Sequence, residues 1–130
     1  MPTDSAYLFV YGTLLDKENE FGALLLQNST FVTDGRLRGK LYDLGEYPGA
    51  VVVEDMDNWV YGSVYSIRNP EVTLKILDRY EGFGDDFLQP NLFVRERVKV
   101  ETIANMLECW VYLYNLSVDG LRHITSVKYF

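Results

Sequence analysis

Apolar positions along the chain follow two spacings. Alternation, or a short apolar run bounded by Gly, Pro, Asn and Asp, marks strands, whereas recurrence every three or four residues marks helices. AYLFVY (residues 6–11) is aromatic and β-branched and stops at Gly12, so it reads as a buried strand. NEFGALLLQ (19–27) reads as a short helix with Asn19 available as its cap. RLRGKLYDLG (36–45) and AVVVE (50–54) read as strands separated by the turn EYPG. Alternation in RLRGK turns Leu37 and Leu41 to one side and the basic residues to solvent. NWVYGSVYSI (58–67) is a further strand whose Gly62 signals a bulge or a close backbone approach. After a helix at 69–82 and the loop FGDDFLQPN come FVRERVKV (93–100), which alternates and predicts a half-exposed strand, and CWVYLY (109–114), apolar on both faces. Strands thus outnumber helices. The expectation is an α+β domain whose mixed, twisted sheet closes into a barrel-like core with about two flanking helices. A doubly wound fold would need a helix after nearly every strand.

The helix at 69–82 contains an anomaly. Asn69 suits its N-cap, Pro70 its first turn, and Gly82 a left-handed stop. At about 100° per residue, Val72, Ile76, Tyr80, Thr73, Leu77 and Leu74 share one arc. Glu81 falls on that arc too, in the last turn, beside unpaired carbonyls and the negative end of the helix dipole. A carboxylate directed at the core from there is either fraying out to water or held for chemistry.

Composition narrows the chemistry. The 130 residues fit one domain, 1–130, and 48% apolar content is enough for a core. No apolar run approaches the ~18 residues a membrane span needs, and the N-terminus shows no secretory signal. The lone Cys109 excludes an internal disulfide and is compatible with a reducing cytoplasm. A net charge of −7 gives no positive surface for a phosphate backbone, so nucleic acid is excluded as the expected partner. With one His (His123) and one Cys, no His/Cys metal cluster can form. The acidic GDD at 84–86 reads as a solvated turn, His123 as a surface residue, and Cys109 as an inert core thiol. YGTLLDKEN lacks the glycine spacing and the lysine of a nucleotide-phosphate loop.

FVYGTLL (9–15) carries a buried strand straight into Gly-Thr. Successive backbone N–H groups in such a turn can form an anion nest, although the same sequence also suits an ordinary strand end. Together, LFVYGTL, GKLYDLGEYPGAVV, LDRYEG, FVRERVKV and CWVYLYN resemble the γ-glutamylcyclotransferase-like family, nearest its small bacterial and archaeal branch and the γ-glutamylaminecyclotransferases. The resemblance runs over nearly the whole chain, in order and with similar gaps. It implies a small mixed fold around a central barrel and an enzyme that needs no cofactor or metal. It implies that Tyr11, Gly12, Thr13 and Leu14 hold the glutamyl group of the substrate and that Glu81 is the general acid/base. A family tyrosine on the last long strand aligns with Tyr112, and less well with Tyr114 on the same strand face.

The implied reaction closes a γ-glutamyl group onto its own γ-carbonyl, yielding 5-oxoproline and a free amine. A carboxyl that serves both proton transfers needs a pKa above the ~4.3 of a free glutamate. Burial and a helix C-terminus both push Glu81 that way, while Arg79 opposes them. The chain departs from the family at Phe93, where many relatives have Tyr, in the segment 15–19, and at Val127 and Lys128, where Gly-Asp is common. Two other readings stand beside the cyclotransferase: a non-catalytic protein that binds a small carboxylate metabolite, and an amide-cleaving or acyl-handling enzyme with another substrate.

Overall fold

The computed structural model describes residues 6–11, 20–45, 48–54 and 57–124. Among them the elements are β1 (Ala6–Tyr11), α1 (Glu20–Gln27), β2 (Ser29–Asp43), β3 (Pro48–Val52), β4 (Trp59–Ile67), α2 (Pro70–Glu81), β5 (Phe93–Thr102), β6 (Met106–Tyr114) and β7 (Arg122–Ile124). Neighbouring strands run β2-β4-β1-β6-β5, and β5 returns to β2 through Gly35↔Thr102 and Arg36↔Glu101, closing a five-stranded barrel. The β1–β6 pair is parallel and the others are antiparallel. The C-terminal half of β2 runs on past the barrel, pairing with β3 through 39–43 and with β7 through 41–43.

The barrel follows from the alternation. Phe9, Leu37, Leu41, Val60, Val64, Val100, Cys109, Val111 and Leu113 point inward, and Arg36, Arg38 and Lys40 point out. Their opposite neighbours on β1, Leu8 and Val10, pack under the helices with Leu25, Tyr65, Ile67, Leu74 and Leu77. Strand β1 is therefore buried on both sides, as its unbroken apolar run requires. Gly62 is a close approach: a Cβ there would collide with the Val10 carbonyl of β1. The bulge lies elsewhere, between Phe31 and Thr33 of β2.

Several sequence expectations need correction. Strand β2 begins at Ser29 rather than at 36, and β3 covers 48–52 rather than 50–54. The β2–β4 register explains the early start, because Ser29 already pairs with Ile67. Asn69 does precede α2, but it takes a left-handed conformation (φ 48°) and makes no side-chain cap hydrogen bond. Its carbonyl accepts from the N–H groups of Val72 and Thr73 instead. The proposed cap at Asn19 lies outside the described residues.

The largest correction concerns the face of α2. Thr73, Leu74 and Leu77 are buried, whereas Val72, Ile76 and Tyr80 are exposed. The helix is rotated so that Leu77 is central, and Glu81, one turn on, lies on the covered part of the arc with Leu77 and Leu74. Periodicity defined an arc wider than the part of α2 that is covered.

Candidate active site

The end of α2 is fixed before any side chain acts. Gly82 is left-handed at φ 70°, and the Gly82 and Phe83 N–H groups donate to the Arg79 and Asp78 carbonyls. This ending satisfies the last carbonyls and stops the helix immediately after Glu81. The following loop is tied by Asn91, which is 6% exposed in a stretch that is otherwise mostly at the surface. The Asn91 Oδ1 accepts from the Gly84 N–H, its Nδ2 donates to the Gly84 and Leu88 carbonyls, and its own carbonyl accepts from Asn115 Nδ2.

Glu81 has Oε1 buried and, among the described residues, without a hydrogen-bond partner. Burial raises its pKa to about 7. The cause is the cost of keeping a carboxylate away from water, because an ionised group without a compensating donor is the disfavoured form. Arg79, which the sequence places beside it, is exposed and screened by solvent.

Tyr11 and Tyr112 stand within electrostatic reach of this carboxyl: each phenol is held above its usual range first by burial, Tyr112 next by Asp78, and both in smaller part by the Glu81 charge. The Tyr11 hydroxyl donates to the Tyr112 carbonyl at 2.6 Å and accepts from the Ala50 N–H at 3.1 Å. It thereby joins β6 to β3, two strands that do not pair. The Tyr112 hydroxyl donates to Asp78 Oδ1 at 2.7 Å. Asp78 also receives both arms of Arg95, Nε on Oδ1 at 2.6 Å and Nη2 on Oδ2 at 2.9 Å. The Arg95 guanidinium lies over the Trp110 ring at 4.3 Å. A forked pair of this kind, largely buried and with its cation on an aromatic face, holds orientation tightly.

The structure therefore brings Glu81, Tyr11 and Tyr112 together. Tyr114 packs in another direction, edge-on to Phe93 at 6.1 Å and beneath Gly49 of β3. Gly12, Thr13 and Leu14 lie outside the described residues. Sequence reasoning missed Asp78, Arg95 and Asn91. For Asp78 a signal existed, since it precedes Glu81 by three residues and so shares its helix face. For Arg95 there was only alternation in a charged strand. The other candidates stay apart: His123 is exposed beside the Tyr42 ring, Asp85 and Asp86 are exposed, and Cys109 is buried. Among the described residues no three His, Cys, Asp or Glu side chains are grouped to hold a metal ion. No helix there is long and apolar enough to cross a membrane.

Comparison with known proteins agrees with this arrangement of elements. The model of the family described as γ-glutamyl cyclotransferase, AIG2-like, matches residues 8–130. The γ-glutamylcyclotransferase family protein YtfP of Escherichia coli K12 is 33% identical over 126 residues, covering 92% of this chain and 91% of that protein. A solution structure of E. coli ytfP aligns with a TM-score of 0.65 at 31% identity, covering 92% of each chain. The γ-L-glutamyl-butirosin B γ-glutamyl cyclotransferase of Niallia circulans is 32% identical over 110 residues, covering 83% of this chain and 66% of that enzyme. A mouse AIG2-like protein shares the fold, with a TM-score of 0.73 at 21% identity over 97% of this chain and 90% of its own. With the family match and the fold in agreement over almost the entire length, the chain belongs to the γ-glutamyl cyclotransferase, AIG2-like family.

Proposed function

We propose that the chain, as one domain over residues 1–130, is an enzyme that converts a γ-glutamyl amine or peptide to 5-oxoproline and a free amine, with Glu81 as general acid/base. The observation that carries this reading is the buried Glu81 Oε1, without a hydrogen-bond partner among the described residues, on a carboxyl raised to about 7 by burial. A group half-ionised near neutrality can both accept and return a proton, which a surface glutamate cannot do efficiently. Family membership supports the same reaction class, and the relative from Niallia circulans is named for a γ-glutamyl substrate.

The chemistry balances without any further reactant. The substrate α-nitrogen attacks the γ-carbonyl carbon, the new C–N bond closes a five-membered lactam, and the C–N bond to the leaving amine breaks. Between its ammonium form and the lactam N–H, the attacking nitrogen sheds two protons. The departing nitrogen takes up both and leaves as an ammonium ion. Glu81 relays protons between the two nitrogens. Because the nucleophile is already attached to its target, the protein has only to hold the glutamyl chain folded. In this reading residues 11–14 hold the glutamyl group and Tyr112 lines the site, whereas Tyr114, packed against Phe93, takes no part. Tyr11 serves through its ring and its strand contacts, because its hydroxyl is engaged by backbone.

The test is to incubate the protein with γ-glutamyl amines, γ-glutamyl dipeptides and glutathione and to measure 5-oxoproline by mass spectrometry. Turnover by Glu81→Gln should fall by roughly 10²–10⁴ while substrate affinity stays similar. No 5-oxoproline from any substrate would overturn the cyclotransferase reading. Full turnover by the variant would move the proton transfer to another group.

A further inference from the structure

Asp78 and Arg95 are given no part in the reaction, yet they form a connected group with Tyr112 beside Glu81. Asp78 stands one helical turn before Glu81 on the same side of α2, and its carboxylate is bonded on both oxygens by Arg95 of β5 and on Oδ1 by Tyr112 of β6. Its carbonyl receives the Phe83 N–H that ends the helix after Glu81. The side chain of Asp78 thus fastens the last turn of α2 to the barrel, and its carbonyl closes the helix end. The contact is consistent with the rotation of the helix: with Asp78 bonded to β5, Leu74 and Leu77 are buried while Val72, Ile76 and Tyr80 are exposed.

We propose that the Asp78–Arg95 pair, tied to Tyr112, is a positioning device for Glu81, which aims its carboxyl inward and presents it with a neutral pair in place of a lone charge. Burying an acidic and a basic side chain together is expensive, and apolar residues would have held the helix at least as well. What apolar residues would lose is the fixed orientation of a forked contact, and what a single buried charge would add is a field on the neighbouring carboxyl. Tyr11 from β1 and Tyr112 from β6 feel the Glu81 charge, Asp78 precedes it by one turn of α2 and carries Arg95 of β5 with it, and Arg79 of the same helix and Asp85 and Asp86 of the following loop are exposed. Of these, Asp78 and Arg95 are the two charges held largely out of water, at 14% and 16% exposure, and they cancel. Burial is the cause of the Glu81 shift.

The consequence for turnover rests on Glu81 being the acid/base, but the test does not. Carbon-13 labelling of the glutamate side chains in the full chain, with Glu81 assigned by its loss in Glu81→Gln, gives the Glu81 titration midpoint in the absence of substrate. Asp78→Asn leaves Arg95 as an unpaired cation, and the midpoint should fall by about one unit. Arg95→Met leaves Asp78 as an unpaired anion, and the midpoint should rise. The double variant Asp78→Asn/Arg95→Met restores neutrality and should bring the midpoint back toward that of the wild type, and Arg95→Lys, which keeps the charge, should hold it there. Midpoints unmoved in both single variants, or displaced the same way in both, would overturn the proposal. So would a double variant displaced further than either single one, since a purely structural contact predicts that order. Should one single variant fail to fold, the direction of the other, together with Arg95→Lys, decides. Absence of 5-oxoproline formation would refute the enzyme reading and leave these titrations standing.

Discussion

Two buried layers share strand β1, and they treat a titratable group in opposite ways. Inside the barrel, Cys109 is fully buried among Phe9, Leu37, Val64 and Val111, and burial pushes its thiol up to about 12. On the helix side of the same strand, burial raises Glu81 to about 7. The physical cause is the same, removal of the charged form from water. The outcome differs because the starting values differ. A thiol moved to 12 is neutral at every physiological pH and behaves as a small apolar filler. A carboxyl moved to 7 lies where it can change charge during a reaction. Burial thus makes one group inert and the other responsive, and the side-chain type at each place decides which.

The contrast predicts effects of graded size. The largest concerns barrel packing: Leu37→Ala removes a fully buried side chain and should cost about 2–5 kcal/mol in denaturant unfolding. A loss below 1 kcal/mol would mean that the barrel interior collapses around the gap and is not the rigid layer described.

Next comes the pH dependence of stability. A carboxyl whose folded pKa lies above its ordinary value binds its proton more tightly in the folded state. Its stabilising contribution is therefore greatest below about 4.5 and is lost as pH rises to about 7. Glu81→Gln has no such loss, so it should match the wild type near pH 4 and exceed it at pH 8 by up to about 3 kcal/mol. Equal stability at both pH values would show that the carboxylate is solvated and would remove the contrast between the layers.

Smaller still is the expectation for Cys109. Iodoacetamide at pH 8 should leave the folded protein unmodified and react only as fast as the chain unfolds, because the thiol is both buried and protonated. Rapid labelling would mean that the barrel interior is open to solvent. The smallest effect belongs to the outer face of α2, where Ile76→Lys should change stability by no more than about 0.5 kcal/mol, whereas a loss of several kcal/mol would return the helix to the orientation expected from periodicity.

Local sequence was sufficient where one residue or one repeat carries the constraint. The alternation in RLRGKL settled which side of β2 enters the barrel, because a strand cannot expose the same face it buries. Pro70 and Gly82 bracketed α2, because a missing N–H suits the first turn and a left-handed stop suits glycine. CWVYLY announced a strand covered on both sides, and LDRYEG placed a carboxyl on an apolar helix face. Tertiary structure decided what depends on pairs distant in the chain. Asp78 meets Arg95 and Tyr112 across 17 and 34 residues, and no periodicity encodes those distances. The same holds for the link from Tyr11 through its hydroxyl to β3 and β6, and for the short β2–β5 seam that closes the barrel. The helix pattern allowed Glu81 at the edge of the buried arc as readily as at its centre. The folded chain bonds Asp78 to Arg95, buries Leu74 and Leu77, and holds Glu81 Oε1 out of water.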